Sequence, residues 1–161
     1  MNMKNHGLLV TMLTFLIALP GLVSASDFRL TAFEGALGFS ELTKGEAKIA
    51  HDMLSARSLT RSDYSELNNL CVSEIILEDF ASAIEACELA LNEKNKSRDL
   101  GFNQKKKITA SILSNLAVAK ALGGDLVGAQ LDLETSLSLN RKNKSAISNF
   151  AWLNSDLLAS L

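Results

Sequence analysis

Leu67-Asn68-Asn69-Leu70-Cys71-Val72, Leu113-Ser114-Asn115-Leu116-Ala117-Val118 and Ile147-Ser148-Asn149-Phe150-Ala151-Trp152 share one layout: apolar, polar, asparagine, apolar, small, apolar. The second copy follows the first by 46 residues and the third follows the second by 34. Self-similarity at such periods marks an array of supersecondary units. A second layout recurs between the copies, in Gly45-Glu46-Ala47-Lys48-Ile49-Ala50, Glu78-Asp79-Phe80-Ala81-Ser82-Ala83 and Gly124-Asp125-Leu126-Val127-Gly128-Ala129. Each places an acidic residue where a helix would begin, favoured there by the helix dipole, and an alanine four positions later. Apolar and small residues then recur at three- and four-residue spacing, as in Ala83, Ile84, Cys87, Ala90 and Leu91, or Ala129, Leu133, Ser136 and Leu137. That is helical periodicity. With one proline and nine glycines in 161 residues, breakers are few. The expectation is an all-α fold of alternating first and second helices.

The first 25 residues are set apart from the fold. Lys4 is followed by an apolar run from Leu8 to Leu19, then Pro20-Gly21 and the small-x-small site Val23-Ser24-Ala25. This is the pattern of a secretory signal peptide, with cleavage expected after Ala25. The run is shorter than the roughly 20 residues a membrane-spanning helix needs. The mature chain, 26–161, is therefore expected in the periplasm or secreted, with no transmembrane segment. Loss of Lys4 takes the net charge of −2 to about −3, a balance that offers no general attraction for nucleic acid.

The two layouts together resemble the tetratricopeptide (TPR) repeat. The family's leucine and small residue on the first helix correspond to Leu70-Cys71 and Leu116-Ala117, with Leu37-Gly38 supplying the same pair in a first unit. Its turn corresponds to Gly124-Asp125, and its second-helix alanine to Ala83 and Ala129. The resemblance covers roughly Thr31 to Leu161. It implies a short right-handed stack of TPR-like hairpins at about 31–57, 63–92 and 108–140, closed by a capping helix at 144–160. Departures are present. Asn95 and Arg141 stand where the family places proline, Glu78 replaces a turn glycine, and Glu74 and Lys120 replace first-helix aromatics. The longer interval implies an insert centred on 92–107. Asp27 to Phe33 partly alternates apolar and polar residues, a pattern that also fits an extended segment.

For function, the resemblance implies a partner-binding groove lined by first-helix residues: Asn68, Val72, Ile75, Ile76, Ser114, Val118, Ala121 and Trp152. Peptide-carboxylate clamps of the family carry lysine, arginine and asparagine at such sites, and this chain has neither of the cations there. A mildly apolar groove suits a peptide or an amphipathic partner helix, with Trp152 as anchor. The alternative is a groove covered by the chain's own N-terminal segment or closing helix. Self-association is a further possibility. Cys71 and Cys87 would face each other across one hairpin. In an oxidising compartment that predicts a disulfide, against the alternative of two buried thiols. Lys94, Lys96, Arg98, Lys105, Lys106 and Lys107 crowd one connection and form either an anion-attracting patch or a solvated linker. Catalysis finds little support. His51 is the only histidine beyond His6, and no phosphate loop or nucleophile motif is present. No cofactor and no metal is expected.

Overall fold

The structure, a computed structural model, describes residues 28–57 and 62–159, with side chains to residue 154. The expected signal peptide and its cleavage site lie outside these residues. Among the described residues there are seven helices and no strand: α1 (Phe39–Thr43), α2 (Ala47–Ser55), α3 (Tyr64–Ile76), α4 (Phe80–Lys96), α5 (Phe102–Leu122), α6 (Leu126–Leu139) and α7 (Lys144–Ala159). Each helix packs on its neighbour in sequence, as stacked hairpins require, and α7 closes the stack against α5 and α6.

The helices start and stop for local reasons. Asp63 caps α3 by accepting the Ser65 and Glu66 N–H groups, Asp79 caps α4 through Ser82, and Asp125 caps α6 through Gly128. The three hairpin turns are built alike. In each, one residue takes a left-handed backbone: Gly45 at φ 80°, Glu78 at 63° and Gly124 at 94°. The following N–H then reaches back five residues, from Glu46 to Glu41, Asp79 to Glu74 and Asp125 to Lys120, at 2.8–3.0 Å. This is the Schellman closure, which satisfies carbonyls that the ending helix leaves open. At Gly38, also at φ 80°, an added Cβ would come within 2.8 Å of Leu54, so the start of α1 packs directly on α2.

Two bounds expected from sequence need correction. The extra residues of the 46-residue interval form no looped insert. They lengthen a helix pair: α4 runs 17 residues and α5 runs 21, against 13 in α3 and 14 in α6. The second unit thus extends past 92 to Lys96, and the third begins at Phe102, ahead of 108. Continuous helical spacing through Leu91 and Lys94 explains this, since nothing between them breaks a helix. The first unit is a reduced hairpin whose opening helix, α1, has five residues.

The main core joins Ala50 and Leu54 of α2, Leu67, Leu70 and Ile75 of α3, Ala83, Ala86 and Ala90 of α4, and Ile112, Leu116 and Val118 of α5. A second core under α7 holds Ala117, Ala129, Leu133, Ala146 and Leu153. Within α3 every residue from Glu66 to Ile75 is buried, polar ones included. A hairpin stack open on its inner face would not bury a first helix on all sides. Something covers it.

Candidate functional site

The cover is the chain's own segment 28–33, which runs without helix across α7, α5 and α3. It is held by one asparagine from each repeated motif. The Asn149 amide accepts from the Arg29 N–H at 2.8 Å and donates to the Arg29 carbonyl at 3.0 Å. Asn115 does the same for Thr31, at 2.9 Å in both directions. Asn69 does so for Phe33, at 2.7 and 3.1 Å, and also donates to the Leu37 carbonyl. Each amide thus acts as a backbone group, giving one donor and one acceptor to a single residue. The contact at every second residue is what an extended chain presents, because its alternate residues turn to opposite sides.

The polar floor is internally satisfied. Asn115 donates to Asn68 Oδ1 at 2.9 Å, Asn68 donates to the Thr31 carbonyl at 2.9 Å, and Asn149 donates to Ser114 Oγ at 3.1 Å. Asn68, Asn69, Ser114, Asn115 and Asn149 have no exposed surface, so these bonds remove desolvation costs of about 1–3 kcal/mol per unpaired group. Apolar contacts fix the strap at both ends. The Phe28 ring lies 4.1 Å from that of Trp152, and Phe33 meets Tyr64 edge-on at 6.1 Å.

Of the expected groove residues, Asn68 and Ser114 sit in this floor beneath the strap. Ile75 and Val118 are fully buried in the core. Ala121 and Trp152 are half-buried, and Trp152 is engaged by the chain's own Phe28. Val72 and Ile76, with Leu30, Ala32, Phe39 and Leu42, line a cavity of about 390 Å³ that opens beside the strap. Ile76 is 42% exposed there, and Leu77 next to it is 39% exposed. Asn69, Asn115 and Asn149 are not among the groove residues expected from the sequence. Their signal was present: asparagine stands at the same place in all three motif copies.

Cys71 and Cys87 are joined in a disulfide between α3 and α4, with Cα atoms 5.3 Å apart. The lysine-rich connection needs correction. Lys94 is buried and donates to Thr109 Oγ1 at 2.6 Å; burial, then the neighbouring Lys105, holds its pKa below the usual lysine range. Lys96 pairs with Glu93 at 2.5 Å, and Lys106 lies over the Phe102 ring at 4.5 Å. Lys105 is half-buried, which leaves Lys96, Arg98 and Lys107 exposed. The helical extension of α4 and α5 disperses the cations that a loop would have gathered.

An acidic feature lies where α3 meets α4. Glu74 is buried beside a cavity of about 140 Å³ shared with Ser82 and Glu85. Burial first, then Asp79 and Glu85, push its pKa up to about 7. His51 Nε2 stands 4.0 Å from Glu74 Oε1. Ser55 Oγ lies 3.2 Å from the same ring nitrogen, but its hydroxyl also lies 2.6 Å from the His51 carbonyl in its own helix. Among the described residues no three His, Cys, Asp or Glu side chains gather as a metal site. Nor is any helix among them long and apolar enough to cross a membrane.

Comparison with solved structures finds the second TPR domain of human RPAP3, in complex with an HSP70 peptide, at a TM-score of 0.58. The two are 16% identical, over 73% of this chain and 88% of that domain. The fold is TPR-like. No family model matches the sequence, and no curated protein matches it. A TPR-like stack places its first helices, here α3, α5 and α7, along one inner surface, and the strap occupies that surface.

Proposed function

We propose that this TPR-like chain is a non-catalytic protein–protein interaction module of the bacterial envelope, holding a partner peptide or helix at its concave surface. The observation that carries the reading is the asparagine ladder. Asn69, Asn115 and Asn149 grip the backbone of an extended segment and none of its side chains, so this face is suited to hold polypeptide. The RPAP3 domain, similar in fold, is held in complex with a peptide, which supports a peptide-binding role here too. With the strap in place, the surface left for a partner runs along the strap and over Ile76, beside the cavity that Val72 helps to line. The leader pattern of Lys4, Leu8–Leu19 and Val23-Ser24-Ala25 supports export, and the Cys71–Cys87 disulfide suits an oxidising compartment.

The test is in-cell photocrosslinking from position 76, with exposed Lys107 as the control position. A discrete adduct with another protein from 76 and none from 107 is the expected result. Equal labelling from both, or no adduct from 76, refutes the reading. Self-association is the second reading, favoured by Val127 and Leu131, which lie one turn apart on α6 and are 73% and 58% exposed. Light scattering decides it, because a strict monomer at high concentration excludes it.

A further inference from the structure

Leu30 and Ala32 are the strap residues that the asparagines leave alone. The N–H and C=O groups of Arg29, Thr31 and Phe33 are bonded to the groove floor. In an extended chain the intervening residues turn theirs the opposite way. Leu30 and Ala32 accordingly make no backbone hydrogen bond, and their groups point away from the floor. The strap is therefore an extended segment with one bonded edge and one unbonded edge. The unpaired edge runs beside the cavity of about 390 Å³, because Leu30 and Ala32 line it together with Phe39, Leu42, Val72 and Ile76. Two donors and two acceptors alternate next to an apolar recess that falls within the 300–1,000 Å³ of ordinary ligand sites.

From this juxtaposition we infer that the strap is a docking strand: an extended peptide segment of a partner protein pairs with the free edge at Leu30 and Ala32 and seats an apolar side chain in the adjoining cavity. The occupant is set by complementarity. Alternating donors and acceptors about two residues apart match another extended backbone, whereas a helix has its own N–H and C=O groups already bonded. The apolar cavity selects one large aliphatic or aromatic residue, and the flanking positions stay free. The strap's own anchoring is undisturbed, since the asparagines use the other edge. The inference rests on the proposed interaction role and specifies where and how that role is carried out.

The probe is a panel of capped heptapeptides in which threonine alternates with one apolar residue, Leu, Ile, Val, Phe, Met or Trp in turn. Controls are N-methylated at every second residue. Binding is followed by calorimetry, and amide exchange of the full mature chain is read at Leu30 and Ala32. The expected result is that at least one unmethylated peptide binds and slows both amides at least tenfold, while its methylated control does neither. Ala32→Pro removes an N–H that the fold does not use, and proline suits an extended backbone. It should weaken binding at least tenfold. Ile76→Asp, at a surface position, should do the same by filling the cavity mouth with charge. Circular dichroism confirms that both variants fold.

No binder in the panel, or a binder indifferent to both substitutions, overturns the inference. So does protection of Leu30 and Ala32 that appears only as the chain dimerises, since the occupant is then a second copy. A protein adduct from position 76 combined with unprotected Leu30 and Ala32 overturns this site and leaves the interaction role standing.

Discussion

Glu78 is the only non-glycine among the described residues with a positive φ, at 63°, while glycine holds the matching place in the other two turns, Gly45 and Gly124. A side chain there meets the strain that makes left-handed backbone costly for L-residues. Glu78→Gly should stabilise the fold by about 0.5–1 kcal/mol once glycine's extra unfolded-state freedom is deducted. Urea unfolding checks it: the midpoint rises and the slope stays constant. The turn was legible as a departure from the repeat, because glutamate stood where glycine was due.

Glu74 carries the pH dependence. Its folded pKa of about 7 lies above the ordinary 4.5, with His51, Asp79 and Glu85 as the groups nearest it. The folded state then binds this proton more tightly than the unfolded chain, so its contribution to stability is lost as pH rises from about 4.5 to 7. Glu74→Gln should leave Tm unchanged near pH 4 and raise it by a few degrees at pH 8. A Tm–pH profile that keeps its slope in the variant would contradict this. Sequence showed that Glu74 replaced an aromatic; it did not show that the site stayed buried.

At the scale of elements, the helices and their partners were largely readable. Three-and-four spacing, the acidic caps and the recurring alanines are local signals, and α3 through α7 follow them. The Cys71–Cys87 pairing followed from the facing of two helices in one hairpin. Replacing both cysteines with alanine should cost about 3 kcal/mol for a loop of this length while the helices persist. The strap was harder to read, because its bonds link residues far apart in sequence: Arg29 with Asn149, Thr31 with Asn115 and Phe33 with Asn69. Periodicity reports which face a residue occupies but not which distant backbone meets it. The alternation across Asp27 to Phe33 hinted at an extended run without locating it. Asn115→Ala removes both bonds to Thr31 and the bond to Asn68, leaving buried groups unpaired. It should cost roughly 2–4 kcal/mol and speed exchange of the Thr31 amide by more than tenfold, read by NMR.

For the whole molecule, hairpin stacks are quasi-one-dimensional: each unit touches its neighbours, and the ends can fray separately. Here the strap touches α3, α5 and α7 at once. It couples units that would otherwise sense each other only through intermediates. Unfolding followed by Trp152 fluorescence, which reports the strap–α7 contact, and by far-UV circular dichroism should therefore coincide. In a chain beginning at Glu34 the transitions should separate, with α7 melting first. Coincident transitions in both forms would mean that the hairpins alone supply the cooperativity. The repeat, the cap at α7 and the all-helical class were legible because each follows from local pattern. The closure of the inner face was not, since it depends on where the segment ahead of the first helix returns.

That return sets an order in time. Translation makes the strap among the first of the described segments, yet Asn149, the socket for Arg29, is made 120 residues later. Until then the strap has no complete seat, and the polar rows of α3 and α5 have no cover. In a chain that folds as it emerges, the seating of one of the earliest segments therefore waits on one of the latest.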